Sequence, residues 1–185
     1  VLGPANFANS MSEERPAWAE KPLNTSTRAA RDFAAGEIGA DDISTANWSP
    51  QAIVNLLAQL PESSTSEQLA ALDEALGLSA SRNAEIAREW FTQVAQRRHE
   101  AAYSAMEQHL KRFGRTWLLS GTYRGLVQNG QDAEWARRIF QEAKGSYHPL
   151  TRMAIEKILD YPFFDMLCHF DLVKKFNRVP TVPLS

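Results

Sequence analysis

Amphipathic helix signals follow one another along almost the whole of this chain, and a glycine, a proline or a capping residue stops each before the next begins. Ser49 can cap a helix whose first position is Pro50, where the missing N–H is no loss. Ile53, Leu56, Leu57 and Leu60 then fall at i, i+3, i+4 and i+7, one face of that helix. Thr65 with Gln68 makes a capping-box pattern ahead of Leu69, Leu72 and Leu76, and Gly77 closes the run. Asn83 can cap a helix that turns Ile86, Trp90 and Val94 inward. A run from His99 carries the stripe Ala102, Met106, Leu110 and Phe113. The next spans about 116–127 and ends at the turn signal Asn129-Gly130. Asp132 can cap a helix with inner face Ala136, Ile139, Phe140 and Ala143, closed by Gly145. Pro149 opens another, carrying Leu150, Ala154, Ile155 and Ile158, which Tyr161-Pro162 breaks. Phe163, Met166, Leu167 and Phe170 give a short last stripe.

An earlier helix is expected from Asn24 or Thr25 to about Ala35, stopped by Gly36, with a loop over 36–48. No segment reads as a strand. Eight or nine short helices with short connections predict an all-α fold. No fixed repeat period emerges, so the expected architecture is an irregular two-layer right-handed helical superhelix of the armadillo or HEAT kind. Residues 1–23, with Pro4, Pro16 and Pro22, read as a linker from an upstream domain. Residues 24–160 read as the helical domain, and 161–185 as an extra short helix and a frayed tail.

A chain of 185 residues buries roughly 70% of its unfolded surface and needs no disulfide or metal staple. Net charge is −2 with no basic run, so no nucleic-acid partner is expected. No apolar stretch reaches the ~18 residues of a membrane span, so no membrane partner is expected either. The lone Cys168 cannot form an internal disulfide, which favours a reducing, cytoplasmic compartment. Val1-Leu2-Gly3-Pro4 has neither an initiator Met nor a signal pattern and reads as a cut inside a longer chain.

The tightest corner is Phe113-Gly114-Arg115, where one amphipathic run ends and another starts within a few residues. Gly114 suits a left-handed C-cap, having no Cβ to clash. Arg115 is then held beside the start of the next helix, and its forked donors suit a carboxylate. An Arg at such a place also pairs readily with a structural Glu or with helix-end carbonyls.

Other candidate chemistry is weak. His99-Glu100-Ala101-Ala102-Tyr103 is one residue short of a zinc-protease helix, because Tyr103 stands where a second His must reach the metal. His99 and Glu100 are expected on a solvated helix start, and His109 on an exposed face. Cys168 and His169, adjacent in a helix, point about 100° apart and cannot act as nucleophile and base. His148, before Pro149, reads as structural. Trp90, Phe91, Trp117, Tyr123, Trp135 and Phe140 read as core and inter-helix packing. Gly36 and Gly39 lack the flanking strand of a phosphate loop. No catalytic residue, no metal ligand set and no cofactor are expected in this chain.

Several pieces nevertheless resemble one family in order and spacing. Asn83-Ala84-Glu85-Ile86 leading to Trp90, then Phe113-Gly114-Arg115, Tyr123-Arg124-Gly125-Leu126 and Tyr147-His148-Pro149 are similar to the C-terminal domain of leukotriene A4 hydrolase and its bacterial aminopeptidase relatives, zinc metallopeptidases of the gluzincin type. The resemblance covers roughly residues 15–159. It implies an all-helical domain packed on an upstream catalytic domain of the same polypeptide, which carries the zinc, and walling one side of a peptide-substrate cleft. By itself such a fragment would be inert. The resemblance assigns Arg115 to the free carboxylate of the substrate, and Trp117 and Tyr123 become candidates to line the cleft. The hydrolase has a Lys two residues after the Arg; here it is Trp117. Losing that cation would cost ~1–3 kcal/mol of carboxylate affinity, which favours a plain peptide over a fatty-acid epoxide. The competing expectation is a helical-repeat interaction scaffold with no enzymatic parent.

Overall fold

The computed structural model describes residues 17–160. Eight α-helices run through them, α1 Ala17–Ala34, α2 Pro50–Ala58, α3 Ser66–Leu76, α4 Ala84–Arg97, α5 Tyr103–Arg112, α6 Thr116–Gln128, α7 Ala133–Ala143 and α8 Pro149–Asp160. Short 3₁₀ turns at Ala40–Asp42, Leu78–Ala80 and Glu100–Ala102 link them. Among the described residues there is no strand, and no helix is long and apolar enough to cross a membrane. The stripe at Phe163, Met166, Leu167 and Phe170, Cys168, His169 and the linker up to residue 16 lie outside the described residues.

The local chemistry sets most helix ends. The Ser49 hydroxyl accepts from the Ala52 amide at 3.3 Å, with Pro50 in the first turn. Thr65 and Gln68 form the reciprocal capping box, and Gly77 takes the left-handed conformation that ends α3. The Asn83 side chain accepts from the amides of Glu85 and Ile86. Two starts differ from expectation. Helix α1 begins at Ala17, so Asn24 and Thr25 lie inside it rather than at its start. Asp132 precedes α7 but does not cap it with its side chain. The Asn129 side chain accepts from the amides of Gln131 and Asp132 instead, which leaves the carboxylate to other partners.

The helices form two layers. In one, α2, α4, α6 and α8 stand side by side, each packed on the one two before it, and α1 closes the α2 end. In the other, α5 packs on α7, and the 78–80 turn bridges α3 and α5. The result is an all-α helical superhelix. Trp90, Tyr123 and Phe140 are the largest side chains wholly inside it, with Leu56, Leu72, Met106, Leu110 and Leu126 filling between layers. Closest approach falls between α4 and α6. A Cβ on Gly121 would lie 2.6 Å from the Thr92 hydroxyl, and one on Gly125 would lie 2.9 Å from the Ala95 Cβ. These two glycines, one turn apart, let the backbones meet where any side chain would wedge them open.

Not every apolar residue of the stripes is inside. Leu150 is 67% exposed, because α8 turns Thr151, Ile155 and Leu159 inward and leaves Leu150 and Met153 on its outer side.

Candidate functional site

The corner between α5 and α6 is built differently from its sequence expectation. Phe113, at φ −101 and ψ 145, and Arg115, at φ −104 and ψ 130, are both extended. Gly114 does not adopt a left-handed conformation, so the expected glycine C-cap is corrected. The glycine is required for a different reason. A Cβ there would lie 2.9 Å from the Ser146 carbonyl oxygen and 3.4 Å from the Tyr147 Cα. The His148 amide donates to the Gly114 carbonyl at 3.3 Å. The corner is thus pinned, backbone to backbone, against the loop that leads into α8.

Neighbouring side chains brace it. The Thr116 hydroxyl donates to that of Thr151 at 3.0 Å, tying the start of α6 to the start of α8. The His148 ring accepts from the Leu150 amide at 3.2 Å and so caps α8, a structural role. Beneath the corner, the His109 ring lies 5.0 Å from Phe91 and 4.9 Å from Phe113, and its Nε2 lies 3.3 Å from the Leu118 carbonyl. His109 is therefore buried, not exposed, and burial lowers its pKa. The neutral imidazole donates from Nε2 to that carbonyl.

Arg115 itself is exposed, and its side chain has no hydrogen-bond or ion-pair partner among the described residues. No closed internal ion pair absorbs it. It stands at the N-terminal end of α6, where no side chain caps the helix. A cation at that end opposes the helix dipole, and both the guanidinium and the dipole draw an anion to the same place.

Two residues on, Trp117 is 56% exposed, which corrects its reading as core. One face of the indole is taken by the Arg88 guanidinium, 4.1 Å from the ring centroid. Arg88 also contacts Glu89 at 3.2 Å. Tyr123 cannot line an open cleft in this structure. It is fully buried, its hydroxyl 3.0 Å from that of Tyr147, whose own proton goes to the Leu110 carbonyl at 2.6 Å. Burial raises both phenol pKa values and keeps the chain of donors neutral.

His99 is buried as well, contrary to a solvated helix start. Its Nδ1 lies 2.8 Å from the Ser66 hydroxyl, and its ring meets the edge of Trp90. Among the described residues, no group of three or more His, Cys, Asp or Glu could hold a metal ion, so zinc does not fit this part of the chain.

The sequence gives no sign of the cluster around Asp132. Its Oδ2 accepts from Arg98 Nε at 3.2 Å, from the Tyr103 hydroxyl at 2.7 Å and from Asn129 Nδ2 at 2.7 Å. Arg98 reaches it from a left-handed backbone, φ 52, and also bonds Gln131 and Glu100. The cluster joins the ends of α4 and α6 to the starts of α5 and α7. The turn signal at Asn129-Gly130 is visible, but nothing local announces that Arg98 will reach it.

A family model described as "Leukotriene A4 hydrolase, C-terminal" matches residues 48–159. The match holds the Asn83 cap, the Gly114-Arg115 corner and Tyr147-His148-Pro149, and it begins later than the resemblance drawn from about residue 15. Leucine aminopeptidase 2 of Neurospora crassa is 32% identical over 117 residues, 62% of this chain and 17% of that protein. The chain thus spans less than a fifth of the length of that curated relative.

Proposed function

The chain belongs to the leukotriene A4 hydrolase C-terminal domain family, and from that premise we propose that it walls the substrate cleft of a zinc aminopeptidase and anchors the C-terminal carboxylate of a short peptide through Arg115. The observation that carries this reading is the unpartnered guanidinium at a corner fixed from both sides. Fixing one end of a peptide sets its length and register against a distant reacting bond, and such positioning lowers the barrier without chemistry at the anchor. Zinc and its ligands would belong to a catalytic domain outside this sequence. The similarity to a leucine aminopeptidase supports peptide hydrolysis as the activity of the whole. The extended domain scheme, with a linker that ends where α1 begins at Ala17 rather than at residue 23 and an added segment over 161–185, belongs to the same proposal, as does a cytoplasmic location.

Trp117 would form part of the anchor's surround. The indole is 56% exposed, and the Arg88 guanidinium, itself paired with Glu89, stacks on one of its faces. This arrangement suits a peptide carboxylate with an apolar last side chain.

The test is Arg115→Ala in the aminopeptidase that carries this domain, assayed on paired peptides with free and amidated C-termini. A charge-assisted bond to a carboxylate is worth about 1.5–3 kcal/mol, so kcat/KM on the free-acid peptide should fall roughly tenfold to a hundredfold. The amidated peptide should change little. Equal loss on both, or none on either, removes the anchor role.

A further inference from the structure

Among the described residues three large hydrophobic side chains are exposed, Trp117, Leu150 and Met153, and all three stand near the starts of α6 and α8. Those starts are tied twice, by the His148 amide to the Gly114 carbonyl at 3.3 Å and by the Thr116 hydroxyl to that of Thr151 at 3.0 Å. Gly114 and Thr116 flank Arg115, so its backbone is held against the stretch from His148 to Thr151. Helices α6 and α8 pack side by side with their starts together, and so run in the same direction. Side chains step round a helix by about 100° per residue. Thr116 and Thr151 face each other. Trp117, one residue after the first, and Leu150, one before the second, therefore turn to the same side of the layer, away from the buried Leu119, Ile155 and Leu159. Met153 is turned about 60° further from α6 than Leu150 is. Packed helices stand ~8–10 Å apart, so Trp117 and Leu150 wall a groove about one side chain wide, with Arg115 at its mouth. Helix α6 carries no Asp or Glu, and α8 none before Glu156. Arg124 and Lys157 face the same side, but each lies about 10 Å further along its helix.

We infer that Leu150 is a specificity-determining residue of the Arg115 site: with Trp117 it receives a large apolar side chain on the last residue of the peptide whose carboxylate Arg115 grips. The inference rests on the anchor reading of Arg115 and adds the substrate class, peptides that end in Leu, Met or Phe rather than in Gly, Ser or an acidic residue. A C-terminal residue carries its carboxylate and its side chain on one Cα. A cation beside two apolar walls matches both groups at once. Covering those walls with an apolar side chain removes their surface from water, and the gain follows the area covered. A terminal Gly leaves the walls wet. Arg124 and Lys157 lie too far along the groove to hold the carboxylate of the same residue.

The experiment uses the aminopeptidase that carries this domain, assayed on Ala-Ala-Leu, on Ala-Ala-Gly and on the amide of Ala-Ala-Leu. The parent should show the higher kcat/KM on Ala-Ala-Leu than on Ala-Ala-Gly. Leu150→Ser should lower kcat/KM on Ala-Ala-Leu roughly threefold to tenfold, the loss of ~30–50 Å² of apolar contact, and do so through KM. Ala-Ala-Gly should be unchanged in that variant, whereas a purely structural role for Leu150 would lower both peptides together. Leu150→Met should retain the preference. Met153→Ser removes an equally exposed side chain that faces away from the groove, and should leave both peptides unchanged. Both positions are exposed, so circular dichroism should show the fold intact. The inference is overturned if the parent does not prefer Ala-Ala-Leu, if Leu150→Ser treats the two peptides alike, or if Met153→Ser has the same selective effect. Arg115→Ala, run alongside on Ala-Ala-Leu and its amide, separates the two readings. If it still lowers activity on the free acid alone, the anchor stands and only the role of Leu150 falls; if it lowers neither, both fall.

Discussion

Ser146 places its backbone carbonyl where a side chain on Gly114 would begin, with only 2.9 Å between that oxygen and the first added carbon. The oxygen belongs to the chain itself and has no rotamer by which to move. Gly114→Ala should therefore push the α5–α6 corner away from the loop before α8. The expected loss is ~1–3 kcal/mol, the usual cost of overfilling a tight contact. Urea denaturation would measure it. Gly130→Ala is an informative companion, because a Cβ there meets nothing and only the left-handed backbone, φ 72, is strained. If both variants lose the same stability, the approach of Ser146 is not what demands glycine at 114.

Asp132 is the second place where one atom holds several elements together. Asp132→Ala should cost about 2–3 kcal/mol, because Tyr103, Asn129 and Arg98 are each deprived of an acceptor. Arg98 allows a finer test. Its backbone sits in the left-handed region, where a Cβ is strained and glycine is not. Arg98→Ala and Arg98→Gly remove the same side-chain bonds, so the glycine variant should melt a few degrees above the alanine one. The reverse order in thermal melts would show that the backbone at 98 relaxes once its side chain is gone.

The burial of His99 and His109 should shape the acid side of the stability profile. Burial lowers both pKa values from 6.5, so the folded chain takes up these protons later than the unfolded chain as pH falls. Above 6.5 both histidines are neutral in either state and their contribution is complete. Stability should then fall as pH drops below about 6.5, and level off only beneath the folded values. Urea midpoints between about pH 7.5 and 5.5 would show this before most carboxylates begin to titrate. His109→Gln should flatten the slope. An unchanged slope in that variant and in His99→Gln would assign the acid sensitivity to other groups.

Helix placement is legible in the sequence because it is local. Ser49-Pro50, Thr65 with Gln68, Asn83 and Gly77 act within one turn of chain, and each acts where its residue type predicts. The inner stripes are legible for the same reason. What cannot be read is set by distant partners. Gly114 stands out as necessary, but its neighbour is the remote Ser146, not its own helix end. His109 looks exposed on a helical wheel, yet Phe91 of α4 comes to cover it. Trp117 has the composition of a core residue and the position of a surface one, because the inner side of the α6 start is already filled by Leu118 and Leu119. Spacing alone puts Arg115 beside a helix start; that it has no partner among the described residues is visible only in the folded structure.

Trp117→Lys joins the corner to the family comparison. With the indole 56% exposed, little packing is at stake, and the main interaction removed is the stacking of the Arg88 guanidinium. Such stacking is worth no more than about 1 kcal/mol near the surface, so the variant should fold almost as stably as the parent. The new ammonium would restore a cation two residues after Arg115. If Arg115 grips a carboxylate, KM for free-acid peptides should fall severalfold in the aminopeptidase that carries the domain, while amidated peptides are unaffected. The double variant Arg115→Ala with Trp117→Lys should recover part of what the first change removes, since either cation can face the same anion. A Trp117→Lys enzyme indifferent to the state of the peptide C-terminus would mean that position 117 does not face the bound carboxylate. An indifferent Arg115→Ala alongside it would move the substrate's end away from this corner altogether.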